Sequence, residues 1–245
     1  MTNLGTGATR IIGPAFPQYS VGGGAYGHTT VSLSGCAIES NTYGGVAAPY
    51  QALTITNSTI AGNSGDAVYG RHAPVTLTNS TISGNLGGGI YAPNVAITLR
   101  NSTVVGNGNA GGHGGVYSGG GVDARSSIFA SNLPYDVYVG RSGTLYGANN
   151  LVVFSDATDQ SHTPPAPGVI VSAANPYLAP LGYHGGATRT HALLASSPAI
   201  DQGENNAGSA TDQRGAPRES PAGRPDIGAY ERQPNDDELF YDGFQ

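Results

Sequence analysis

LTITNSTIAGN (Leu53–Asn63), VTLTNSTISGN (Val75–Asn85) and ITLRNSTVVGN (Ile97–Asn107) are one sentence written three times. Their closing asparagines fall at 63, 85 and 107, a period of 22 residues. A fixed period of this size is the signature of a repeat architecture and sets the fold before any single residue is interpreted. Two weaker copies flank the core: VSLSGCAIESN (Val31–Asn41) keeps the period, and VDARSSIFASN (Val122–Asn132) follows a glycine-rich insertion.

Within each copy the tenth residue before the closing asparagine is apolar (Val31, Leu53, Val75, Ile97, Val122), and so is the eighth (Leu33, Ile55, Leu77, Leu99, Ala124). The residue between them is polar: Ser32, Thr54, Thr76, Thr98, Asp123. Apolar-polar alternation over so few residues specifies a short strand with one buried face. Such a strand forms no sheet alone, but its copy one repeat later can pair with it in parallel, about 4.8 Å away. The expected fold is therefore all-β: a right-handed parallel β-helix of about six coils, one per repeat.

Other columns fit the same tube. The third residue back is apolar (Ile38, Ile60, Ile82, Val104, Phe129), and the fifth is small, suiting a crowded interior (Cys36, Ser58, Ser80, Ser102, Ser127). Asn41, Asn63, Asn85, Asn107 and Asn132 are expected to stack at one corner and hydrogen-bond from coil to coil. Asn57, Asn79 and Asn101 are expected to do the same at a second bend. Asn-Ser-Thr also matches a glycosylation acceptor, but a repeat that needs asparagine at its bends accounts for the triplet.

Composition agrees. Glycine supplies 39 of 245 residues and only 11% are charged, as short strands and tight corners require. The net charge of -6 leaves no basic footprint, so nucleic acid is not an expected partner. No apolar stretch is long enough to span a membrane. Cys36, the single cysteine, sits in the small inward column and reads as core. The organisation expected is an N-terminal cap or partial coil (1–20), coils (21–155), a terminal coil with a cap (156–232) and a tail or sorting signal (233–245).

The glycine-rich turns GGIYA (88–92) and GGVYS (114–118), paired with IxGN or FASN, resemble the repeats of polymorphic outer-membrane adhesins. From LYGANNLVV onward, NPYLAPLGYHGGATRTHALLASSPAIDQG (175–203) and TDQRGAPRESPAGRPDIGAYE (211–231) are similar to the C-terminal region of bacterial choice-of-anchor Q proteins. That resemblance implies a secreted or cell-surface β-helix protein whose C-terminal region ends the helix. Asp201, Asp212, Arg214, Asp226 and Glu231 are the motif positions, read as a buried network over the last coil. The missing signal peptide is expected to have been removed.

Chemistry is sparse in the repeats. Asp123 and Arg125 replace the Thr-x-Thr pattern on the last copy, with Arg100 one coil below. These are the candidate catalytic residues of a polysaccharide lyase or glycoside hydrolase, or a site for a sugar acid; a solvated ion pair is the plainer reading. Tyr26, Tyr69, Tyr91 and Tyr117 occupy equivalent turn positions, with Ala47 breaking the column. Stacked outward they form an aromatic strip, the candidate ligand-binding surface for a polysaccharide or host glycan. A structural stack that seals one edge is the competing reading. Asp156, Asp159 and His162 match no Ca²⁺ loop, the six histidines share no metal-ligand spacing, and no cofactor is expected. The expected function is an adhesin or scaffold, with a carbohydrate-active enzyme second. An ice-binding face built on Thr54, Thr56, Thr76, Thr78 and Thr98 comes third.

Overall fold

A computed structural model describes residues 2–11, 24–27, 29–140, 143–153, 170–172, 175–205, 208–218, 223–234 and 236. The loop bearing Asp156, Asp159 and His162, and most of the C-terminal tail, lie outside these residues.

The 22-residue period becomes a three-sided solenoid. The first face stacks Val31–Glu39, Leu53–Thr56, Val75–Thr78, Ile97–Arg100, Val122–Arg125 and Leu145–Ala148, each parallel to the next. The register pairs Leu53 with Val75, Ile97 and Val122 in turn, so identical columns face inward. The second face begins on the far half of Val31–Glu39 and continues through Thr59–Ala61, Thr81–Ser83, Thr103–Val105, Ile128–Ala130, Asn150–Val153 and Ile170–Ser172. The third face stacks Ala25–Tyr26, Val46–Ala48, Asp66–Gly70, Gly88–Ala92, Val116–Ser118 and Val137–Val139. Leu53, Ile55, Ile60, Val68 and most of their copies fill the lumen and are buried. Beneath the first coil the backbone of Thr2–Ile11 runs parallel to Val31–Glu39.

The corners explain the remaining columns. Between first and second faces the chain turns through a left-handed residue: Gly35 (φ 61°), Asn57 (50°), Asn79 (47°), Asn101 (47°) and Ser126 (49°). A second left-handed residue precedes each closing asparagine: Ser40, Gly62, Gly84, Gly106 and Ser131. Asparagine and glycine tolerate this conformation best.

The closing asparagines do form a ladder. Each Oδ1 accepts both the backbone N–H and the amide of its predecessor: Asn41 to Asn63 at 3.0 and 2.7 Å, Asn63 to Asn85 at 3.0 and 2.8 Å, Asn85 to Asn107 at 3.1 and 2.8 Å. Asn57, Asn79 and Asn101 do not. The second asparagine column is a set of left-handed bends whose side chains are free for other work, and Asn79 Nδ2 donates to Thr211 O at 2.9 Å. The small inward column forms its own ladder, Ser58 N donating to Ser80 Oγ at 3.2 Å and Cys36 N to Ser58 Oγ at 3.1 Å. Cys36 is fully buried, which raises its thiol pKa and leaves it a core residue.

Asp136 terminates the asparagine ladder. Its Oδ1 accepts Asn132 N and Nδ2 at 3.0 and 2.8 Å, while its buried Oδ2 has no partner. Burial pushes the carboxyl up to about 6, against the lowering effect of the two Asn132 bonds. A folded pKa above the unfolded value means stability present below about pH 4 and lost as pH rises through 6. Asp136→Asn is therefore expected to raise stability by up to about 3 kcal/mol at pH 7.5 and by nothing at pH 3.5. Urea melts at the two pH values check this.

The C-terminal segment departs from expectation. Instead of resting only over the last coil, residues 175–205, 208–218 and 223–234 lie along the second face as a lateral strap. Asn149 Nδ2 donates to Gln202 O and Glu204 N donates to Ser126 Oγ near the last coils; Ala229 N donates to Thr103 Oγ1, Ser83 Oγ meets His191 Nε2 at 2.9 Å, and Arg189 Nε reaches Glu39 Oε1 at 2.9 Å near the first. This buries the outward Thr59, Thr81 and Thr103. Ile128, Ala130 and Leu151 join Ala192, Leu193, Ile227 and Tyr230 in a second apolar core outside the tube. The expected motif network is present and buried: Arg214 Nε donates to Asp212 Oδ2 at 2.8 Å, Arg218 Nη1 to Glu231 Oε2 at 3.3 Å, and Asp226 Oδ1 accepts Asp201 N at 2.7 Å. Arg218 is also tied to the coils through Asn79 Oδ1 at 3.1 Å.

Candidate functional site

With the second face strapped, the candidate residues lie on the first and third faces. On the first face, Asp123 pairs in register with Thr98, and Arg125 with Arg100. The three charged candidates are together: Arg100 forms an ion pair with Asp123 Oδ2, and Arg125 Nε lies 3.5 Å from Asp123 Oδ1. Arg100 Nη1 also donates to Asp123 O at 2.7 Å. Asp123 Oδ2 is thus held by Arg100, while the buried Oδ1 has no hydrogen-bond partner among the described residues and lies beside Arg125, so the lone carboxylate sits in cationic surroundings. The threonine array beside it covers the coils of Thr54, Thr76 and Thr98 and ends at the arginines.

On the third face the side chains alternate inward and outward, placing Val68, Ile90 and Val116 in the core and Tyr69, Tyr91 and Tyr117 outside. Ring centroids lie 5.8 Å apart for Tyr69 and Tyr91 and 5.2 Å for Tyr91 and Tyr117. Tyr138 extends the strip, stacked on Tyr117 at 4.8 Å, with Tyr135 beside it at 5.3 Å. Tyr26 does not join it. Its strand pairs with Val46–Ala48, so the coil carrying Ala47 separates it from Tyr69.

His113 covers one face of Tyr91, Tyr91 meets Tyr117 edge to face, and Tyr138 stacks on Tyr117. Among the described residues, the hydroxyls of Tyr69, Tyr91, Tyr117 and Tyr138 make no hydrogen bond. Burial, then Tyr117, Tyr69 and Asp66, raises the Tyr91 phenol pKa, which keeps it a donor as well as an acceptor.

His113 is part of this surface. It stacks on Tyr91 with centroids 3.6 Å apart and planes 7° from parallel, and its Nδ1 bonds Asp66 Oδ1 and Oδ2 at 2.9 and 3.1 Å. Periodicity could not reveal it. His113 lies in the insertion that widens the spacing from 22 to 25 between Asn107 and Asn132, and folds back over a coil to reach Asp66. The signal was the insertion itself. Tyr138 was missed because its copy lacks the closing motif. Among the described residues no group of three or more His, Cys, Asp or Glu gathers as a metal site, and no helix is long and apolar enough to cross a membrane.

Comparison with known proteins bears on the scaffold. Among solved structures, the crystal structure of pectate lyase Pel9A aligns at a TM-score of 0.47 and 16% identity, over 91% of this chain and 70% of that one. A likeness at that level says nothing of substrate. None of the curated proteins matches the sequence. The family described as the right handed beta helix region matches residues 18–156, the stretch that builds the three stacked faces. With more than half of its length matched, the chain belongs to the right handed beta helix family.

Proposed function

We propose that this protein is a secreted or outer-surface bacterial scaffold of the choice-of-anchor Q type that holds an extended glycan along its third face. One observation carries the reading: Tyr69, Tyr91, Tyr117 and Tyr138 stand one coil apart on the third face, their hydroxyls without a hydrogen bond among the described residues. The coil rise of about 4.8 Å is close to the length of one pyranose in an extended chain, so successive sugars meet equivalent groups. Aromatic edges beside fixed hydroxyls supply both contact area and hydrogen bonds. Surface display rests on the likeness of residues 145–231 to choice-of-anchor Q proteins, and the interlocked Asp212, Arg214 and Glu231 support it.

A lyase or hydrolase site on the first face has less support. Paired carboxylates are required for glycoside hydrolysis, and Asp123 is the sole acid there, held by two arginines.

Retention on immobilised neutral and acidic polysaccharides tests the reading. Tyr91→Ala is expected to weaken retention on the bound glycan about tenfold, the loss of one hydrogen bond and its ring contact. Equal retention by Tyr91→Ala and Tyr117→Ala overturns the assignment to this strip. New reducing or unsaturated ends that disappear with Asp123→Ala or Arg125→Ala transfer the function to the first face.

A further inference from the structure

The Asp66–His113 pair has features the strip does not need for binding. The carboxylate of Asp66 is nearly covered (11% exposed) and spends both oxygens on His113 Nδ1, while the imidazole is 40% exposed. Among the described residues, His113 Nε2 makes no hydrogen bond. The backbone holds the pair in place: His113 N donates to Gly87 O at 2.9 Å, Asn109 Nδ2 to Leu86 O at 2.7 Å, and Gly111 N to Asn109 Oδ1 at 2.9 Å. Gly88 makes the room. A Cβ there would sit 2.9 Å from Asp66 Oδ1 and 3.1 Å from His113 Cβ. Tyr91, packed flat against the ring, fixes its plane.

A carboxylate accepting Nδ1–H selects the tautomer whose Nε2 carries a lone pair, the arrangement of a general base. We propose that His113 is a catalytic general base, positioned by Asp66, that hydrolyses ester substituents on the glycan held by the tyrosine strip. Nε2 takes a proton from water as the hydroxide oxygen bonds to the acyl carbon. The bond from that carbon to the sugar oxygen then breaks, and the proton passes from Nε2 to the departing alkoxide. The products are a carboxylic acid and a sugar hydroxyl.

Ester cleavage is selected by what is present. Glycosidic hydrolysis needs a second carboxylate across the bond, whereas water attack on an acyl carbon needs one base able to return its proton near neutral pH. The phenol of Tyr117, its ring 6.3 Å from His113, supplies a donor beside the developing oxyanion.

The proposal rests on the glycan-binding reading, and the assays separate them. The full chain is incubated with O-acetylated xylan and with 4-nitrophenyl acetate, and acetate is measured. Release from both is expected, falling roughly 100-fold or more in His113→Gln and unchanged in His72→Gln. Asp66→Asn is expected to lower kcat at unchanged KM, which lost folding alone does not do. No release above the His113→Gln background, with glycan retention intact, overturns the proposal and leaves the binding function standing. Release equally reduced in His113→Gln and His72→Gln also overturns it. Loss of both release and retention in the parent chain overturns the two together.

Discussion

Arg218→Met is expected to lower the melting temperature by about 10 °C. Arg218 is almost fully buried and holds Glu231 Oε2, Gly228 O and Asn79 Oδ1 at 3.3, 2.8 and 3.1 Å. Burial raises the Glu231 carboxyl to about 7, with Asp226 adding to the rise and Arg218 opposing it. Removing the guanidinium leaves two buried acids without their counter-charge, a change that costs about 3–5 kcal/mol in comparable buried pairs. For a chain of this length each kcal/mol moves the melting temperature by about 2–4 °C. The double variant Arg218→Met with Glu231→Gln is expected to recover part of the loss, because the stranded charge is gone. Thermal unfolding of the parent, the single variants and the double variant checks this. A shift of under about 2 °C for Arg218→Met means that the strap contributes little.

Asn85→Leu is expected to cost about 4 kcal/mol or more. Asn85 is in the middle of the ladder and fully buried. Its Oδ1 accepts from Asn63 N and Nδ2, and its Nδ2 donates to Asn107 Oδ1 and to Ile60 O at 3.1 Å. Leucine has a similar volume but leaves Asn63 N and Nδ2 without this acceptor and Ile60 O and Ser83 O without this donor, each costing about 1–3 kcal/mol when left unmade and buried. A solenoid is stabilised by nearest-neighbour interfaces, so the break falls between two blocks of coils. Urea titration read by circular dichroism is expected to show a lower midpoint and a broadened or two-step transition. Thr54→Ala, an exposed position on the first face, is expected to stay within about 0.5 kcal/mol of the parent. Equal effects of the two changes contradict the ladder as a source of stability.

The coils were legible because each inward residue repeats at a constant interval: Leu53, Val75 and Ile97 declare the first face, Ile60, Ile82 and Val104 the second. The Asn63 ladder was legible for the same reason. The Asn57 column was misread because asparagine suits two different corners, a stacked amide and a left-handed bend, and sequence alone does not separate them. The path of the strap carried no periodic signal. Gln213 meets Thr81 Oγ1 at 2.7 Å, and Arg189 meets Glu39, across separations that no local pattern encodes. At the candidate site, the equivalence of Tyr69, Tyr91 and Tyr117 was visible and their neighbour His113 was not. An insertion is where the repeat stops constraining the chain, and there a side chain can reach back across a coil.

The strap has a consequence for rates as well as for stability. Neighbouring coils join residues 22 apart, as Asn63 and Asn85 do, whereas the strap joins residues 108 apart at Ser83 and His191 and 154 apart at Gln213 and Thr59. Contacts that close such long loops form late, after local pairing has built the surface they dock on. Interactions absent from the transition state govern how fast the native state is lost, not how fast it is reached. The C-terminal segment is therefore a brake on unfolding: it sets how long the finished solenoid survives, and leaves the speed of its assembly to the repeats.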